Sequence, residues 1–127
     1  MANKNENNEN VMVYQASYGS VKVRLWVGAY QDNGSLYIGL IDMQENEEFT
    51  DITVNMDESA RLKPYCAAVK NYSENEGMER FIQKYELGKP TGKLIRSGYV
   101  TVPVYQFDKA RLLELSLNGV QEYEPEK

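Results

Sequence analysis

The chain has no histidine. That removes Ser-His-Asp and Cys-His catalysis and histidine-ligated zinc. It has one cysteine, Cys66, so no internal disulfide can form, and a reducing cytoplasm is the expected setting. Cys66 stands among Tyr65, Ala67, Ala68 and Val69 with no base to activate it, and it reads as an inert core thiol. No apolar run approaches the roughly 20 residues that span a bilayer. The Asn- and Glu-rich start, Met1 to Asn10, lacks the basic-then-apolar pattern of a signal peptide, so no membrane association is expected. Without a secretory signal, the sequon Asn71-Tyr72-Ser73 carries no weight.

Positive charge is missing from one long stretch. Between Leu25 and Ala60 there is no Lys or Arg, against eight acids: Asp32, Asp42, Glu45, Glu47, Glu48, Asp51, Asp57 and Glu58. From Arg61 to Arg111, ten bases face five acids. The net charge of -5 therefore averages an acidic first half and a mildly basic second half. Non-specific duplex binding calls for a basic stripe on a basic domain, and nucleic acid is accordingly not the expected partner.

What is present is one domain's worth of chain. A length of 127 residues with 42% hydrophobic and 26% charged residues is ordinary globular usage, enough for a single core without staples. Tyrosine stands out, with ten residues against three Phe and one Trp. Residues 1–10 read as a disordered polar tail, 11–118 as one α+β domain, and 119–127 as an acidic tail.

Val11 to Tyr18 reads as a strand followed by a turn at Gly19-Ser20. Val21, Val23, Leu25 and Val27 then alternate with Lys22, Arg24 and Trp26, the period of a half-buried strand. Asn33-Gly34 signals a tight hairpin. Leu36 to Met43 is apolar on both faces, as a central strand would be. Thr50, Ile52, Val54 and Met56 form the inward face of a further strand, and Tyr65 to Val69 fits a short buried strand. Ser73 to Glu76 has the spacing of a capping box. Met78, Phe81, Ile82 and Tyr85 fall on one helical face, with Gly88 at the expected left-handed stop. Gly98 to Phe107 is another strand, in which Pro103 belongs at an edge or a bulge. Asp108 caps a short helix to Leu117. The expected fold is an antiparallel sheet of about five strands, with one main amphipathic helix on one face and a short C-terminal helix.

Three constellations invite a functional reading. Gly88-Lys89-Pro90-Thr91-Gly92-Lys93 superficially matches a phosphate loop. It is one residue short, has Leu94 where Ser or Thr should hold magnesium, and follows a helix rather than opening one. A helix stop and a turn is the better reading, although Lys89, Lys93 and Arg96 make it the place where a nucleic-acid backbone would be held. Glu45, Glu47, Glu48 and Asp51 fit no calcium loop and read as a solvated hairpin tip, or as an acidic edge offered to a basic protein. Trp26, Tyr37, Tyr99 and Tyr105 lie opposite the aliphatic faces. They are core if a helix covers them and binding anchors if nothing does.

From Ile52 onward the segments Ile52-Thr53-Val54-Asn55-Met56, Phe81-Ile82, Leu87-Gly88-Lys89-Pro90-Thr91-Gly92, Ser97-Gly98-Tyr99 and Pro103-Val104-Tyr105-Gln106-Phe107-Asp108 follow in order. This arrangement resembles a domain-of-unknown-function family of short bacterial proteins, whose members carry TVNL, then FI…NGLGKPTG, then SGF…YPLYxF. The likeness runs from about Val21 to Phe107. It departs at Val69-Lys70-Asn71-Tyr72, where the family has an Asp-Thr-Asn-Asn-like run. The resemblance implies a setting on conjugative and other mobile elements of gut bacteria, and no assigned chemistry. The expectation is a non-enzymatic, protein-binding accessory factor of a mobile element, of the kind that blocks restriction or CRISPR nucleases, with no cofactor and no metal. The alternative is a nucleic-acid-binding accessory protein using the Gly/Lys loop.

Overall fold

The alternation of Val21, Val23, Leu25 and Val27 is realised in a computed structural model that describes residues 10–56 and 62–123. All four side chains are buried in strand β2 (Gly19–Ala29). Strand β1 (Met12–Ala16) pairs with its first half, and β3 (Leu36–Asp42) with its second. Strand β4 (Glu47–Asp51) completes an antiparallel four-stranded meander in the order β1-β2-β3-β4. The Asn33-Gly34 turn is wider than the sequence suggests. Tyr30 and Ser35 close the loop, and only Gly34 takes positive φ. The Asn33 amide is used elsewhere, donating to the Met56 carbonyl and the Asn55 side chain.

The strand expected through Thr50 to Met56 is divided. It leaves the first sheet after Asp51 and enters a second as β5 (Thr53–Val54). Ile52 is the hinge between the two. Its N–H donates to Ile38 in β3, and its carbonyl accepts from Lys70. The second sheet runs β5-β6-β8-β7, with β6 (Cys66–Val69), β7 (Gly88–Ser97) and β8 (Val100–Phe107). The single sheet of about five strands is thus corrected to two antiparallel sheets of four, within the α+β class. The inward face expected at Thr50, Ile52, Val54 and Met56 is therefore not kept: Ile52 and Thr53 are buried in succession, while Thr50, Val54 and Met56 stay part-exposed.

The main helix, α1 (Met78–Lys84), buries Met78, Phe81 and Ile82. Phe81 meets Tyr14 edge-on at 5.4 Å, and the Tyr85 hydroxyl accepts from the Val13 N–H. The capping box does not form. Ser73–Asn75 is a separate 3-10 turn, and Gly77 precedes α1 without a side-chain cap. Asn75 is instead buried, donating to the Asp51 carbonyl and accepting from Thr50. The left-handed residue that ends α1 is Glu86, not Gly88. Gly88 has another reason to lack a side chain, because a Cβ there would come within 2.6 Å of the Gln106 carbonyl in β8.

The second helix, α2 (Lys109–Leu115), is capped by the Asp108 carboxylate, as its sequence predicts. The chain then does something its pattern does not announce. Ser116 forms a parallel bridge with Leu25, Leu117 donates to the Leu25 carbonyl, and the Asn118 amide bonds both the N–H and the C=O of Val27. This segment closes the edge of β2 that β1 is too short to reach. Beyond it Val120 packs on the core and Tyr123 is buried against Tyr65, so 119–123, expected as part of an acidic tail, contributes to the core. The tail expected over 1–10, save Asn10, lies outside the described residues, as do Asp57, Glu58 and Arg61. No described helix is long and apolar enough to cross a membrane.

Candidate functional site

The four aromatic candidates part company. Tyr105 is core. It points to the inner face of the second sheet beneath α1, fully buried, with its hydroxyl donating to Glu79 (2.7 Å) and accepting from Gln83 (3.0 Å). Burial first, then that bond to Glu79, raises its pKa to about 12. Tyr99 stands at the opposite extreme, 100% exposed at the tip of the β7–β8 hairpin.

Trp26 and Tyr37 remain together. The inner face of β2 and β3 carries the aliphatic core, so alternation sends Lys22, Arg24, Trp26 and Gly28 of β2 outward, with Tyr37, Gly39 and Ile41 of β3. Trp26 pairs with Gly39, and Gly28 with Tyr37. The Tyr37 side chain lies along its own strand over Gly39, where a Cβ would strike the phenol. Its hydroxyl donates to Asp51 of β4 at 2.8 Å, and Tyr30 meets its ring edge-on at 5.4 Å. Burial and the bond to Asp51 hold the Tyr37 phenol protonated well beyond the ordinary tyrosine range. Trp26 keeps 38% of its surface exposed, and Leu117, on the segment sealing the β2 edge, keeps 40%. At Gly28, the end of this face away from Arg24, the Glu122 carboxylate lies close to the strand.

The acids divide as well. Glu45 belongs to the β3–β4 turn, where the Asp42 carboxylate accepts from the Gln44 and Glu45 N–H groups. Glu47 and Glu48 open β4 and are exposed. Glu48 pairs with Ile41, and Asp51 with Gly39, so these two carboxylates border the outer aromatic face. The face is therefore not uniformly acidic. Across β2, β3 and β4 it runs from Lys22 and Arg24, through Trp26, Tyr37 and Ile41, to Glu48 and Asp51. The candidate residues read from the sequence did not include Arg24, which precedes the base-free stretch by one residue.

Lys89, Lys93 and Arg96 sit on a strand rather than a loop. All three are exposed along β7, an edge strand. An edge tolerates Pro90, which has no N–H to donate. The register shifts between Pro90 and Leu94, opposite Pro103, with Gly92 at φ 90 absorbing the irregularity. Thr91 ties this bulge down by donating to the Val104 carbonyl. The three cations are spread over roughly 20 Å of strand, and cations and prolines on an edge also guard it against pairing with another chain. A wide groove of about 630 Å³ adjoins the start of β7, but its cations, Lys89 and Arg111, are matched by Glu86 and Asp108. Arg111 is already committed to the Tyr85 carbonyl and Glu114.

Cys66 is half-buried, and burial pushes its thiol pKa up. Among the described residues no group of three His, Cys, Asp or Glu side chains is placed to hold a metal.

The family model for a domain of unknown function, DUF4313, matches residues 24–127. The chain belongs to the DUF4313 family. The matched range begins at Arg24, halfway along β2, and runs beyond Phe107, where the sequence likeness was expected to end. It thus includes α2 and the Ser116–Asn118 segment that seals β2. No curated protein and no solved structure matches the chain.

Proposed function

We propose that this DUF4313 protein is a non-enzymatic protein-binding accessory factor, and that it binds through the outer face of β2, β3 and β4. The observation that supports this most is Trp26, part-exposed beside the hydrogen-bonded Tyr37 on the outward face of the sheet. Tryptophan and tyrosine are the residues that most often anchor protein interfaces, and a phenol fixed by Asp51 and Tyr30 loses little freedom on binding. The flanking charges favour a partner that brings an acid to Arg24 and a base to Glu48. A role on a mobile element, as a blocker of host defence nucleases, belongs to this proposal and rests on the resemblance described above.

The test is capture from a bacterial host extract with the full chain as bait. Trp26→Asp, and separately Glu45, Glu47 and Glu48→Lys, should abolish capture while the melting temperature holds. Lys89→Ala with Lys93→Ala should leave it intact. Capture indifferent to Trp26 removes the reading.

One arrangement favours a second reading. The basic edge strand leads to the fully exposed Tyr99, and a ring beside cations can stack a single-stranded base. That reading requires DNA or RNA affinity that falls steeply with salt and disappears in the Lys89/Lys93 variant. Three cations on a protein of net charge -5 set the expectation at no binding tighter than about micromolar.

A further inference from the structure

We propose that the partner on this face is a second copy of the chain, in a two-fold, face-to-face dimer of the first sheet. The inference rests on the outer face being a protein-binding surface. It adds that the surface is complementary to itself.

Strand pairing supplies the geometry. Arg24 pairs with Ile41, and Ile41 with Glu48. The three outward side chains form one row across the sheet, base, aliphatic, acid, about 10 Å from end to end. The next row is Trp26, Gly39 and Asp51, with the Tyr37 ring over the glycine. A two-fold axis parallel to these strands, between two facing sheets, reverses each row end for end. Arg24 of one copy then faces Glu48 of the other, Ile41 faces Ile41, and Trp26 faces the Asp51 carboxylate. An axis across the strands would set base on base and acid on acid, so charge selects one of the two in-plane arrangements. Such an isologous contact closes on itself and stops at two copies. Sheets pack in this aligned way about 10 Å apart.

Arg24 provides an independent reason for an occupant. Among the described residues its buried Nε has no hydrogen-bond partner, and its Nη2 donates to the Ser116 carbonyl. Among the described residues no carboxylate forms an ion pair with it. A half-desolvated guanidinium with no counter-ion is unfavourable until an anion arrives, and burial already lowers its pKa. Glu48 is exposed, and it too forms no ion pair among the described residues. Each copy thus holds the counter-ion the other lacks, and the contact would cover Trp26 and Leu117 at the same time.

The test is sedimentation equilibrium of the full chain, with two charge-reversed variants. The wild type should rise from 14.6 kDa towards twice that mass between about 1 and 100 µM, the range of a contact near the small end of specific interfaces. Arg24→Glu makes both ends of the row acidic, and Glu48→Arg makes both ends basic. Each variant alone should stay monomeric, and an equimolar mixture of the two should associate more tightly than the wild type. That rescue separates a lost contact from a lost fold. A wild type that stays monomeric throughout overturns the dimer, as does a mixture that fails to associate while both variants melt cooperatively. If the monomeric wild type still captures another protein through Trp26, the binding face stands without the dimer. If it captures nothing, both fall.

Discussion

Tyr37 and Tyr105 obey the same local rule and end in opposite environments. Each lies on a strand, opposite an aliphatic face, and each donates its hydroxyl to a carboxylate, Asp51 for one and Glu79 for the other. The pKa of each is raised, by burial before any other cause. Glu79 comes from a helix laid over the strand, whereas Asp51 comes from the neighbouring strand. One bond therefore locks two layers together, and the other ties down a ring that remains at the surface. What distinguishes core from surface here is the origin of the acceptor, not the aromatic residue.

Changes on the covered side should cost most. Phe81→Ala removes the ring that α1 sets against Tyr14, and should lower stability by about 3–5 kcal/mol, read by urea unfolding. A loss below about 1 kcal/mol would mean that α1 is not docked as described. Asn118→Ala is the next test. It removes both bonds to the Val27 backbone and leaves those groups without partners, at about 1–3 kcal/mol. Hydrogen exchange at Val27 should accelerate along with it, and exchange at Val23, which lies within the β1 pairing, should not.

The hydroxyl of Tyr105 carries a smaller effect, with a definite pH signature. A folded pKa of about 12, above the ordinary tyrosine value of 10.0, means the fold favours the neutral phenol. The stability this gives is complete below pH 10.0 and is lost as pH rises towards about 12. Tyr105→Phe should lower stability at neutral pH by about 1 kcal/mol and flatten the alkaline fall. An equally steep fall in the variant would place the titration on other tyrosines. The smallest stability effect is expected at Trp26, within about 0.5 kcal/mol for Trp26→Ala, although binding should be lost. That dissociation of stability from binding is the sharpest form of the contrast with Phe81.

The sequence made some of this contrast legible. Strict alternation marked β2, and helical spacing marked Met78, Phe81 and Ile82, because both patterns are local consequences of burying one face. The division at Ile52 was hidden, since the apolar residues Ile52, Val54 and Met56 alternate in the sequence although Thr53, not Val54, follows Ile52 into the interior. Gly88 was misassigned for a related reason. A glycine needed for close approach to β8 looks, in one dimension, like a glycine needed for a left-handed stop. Trp26 and Tyr37 were recognisable as lying opposite the aliphatic faces, with core and interface both open, but their separation from Tyr105 depends on where α1 docks, which no local pattern specifies. The role of Asn118 was unreadable, because its partner Val27 lies 91 residues away.

Trp26 is the only tryptophan of the chain, so its emission reports on the proposed face and nothing else. In dilute protein it should be red-shifted and readily quenched by acrylamide. When the chain binds its partner, whether a second copy at high concentration or a captured protein, the emission should shift to the blue and quenching should fall several-fold. A complex confirmed by mass in which Trp26 emission and quenching match those of the free chain would contradict the assignment of this face as the binding surface.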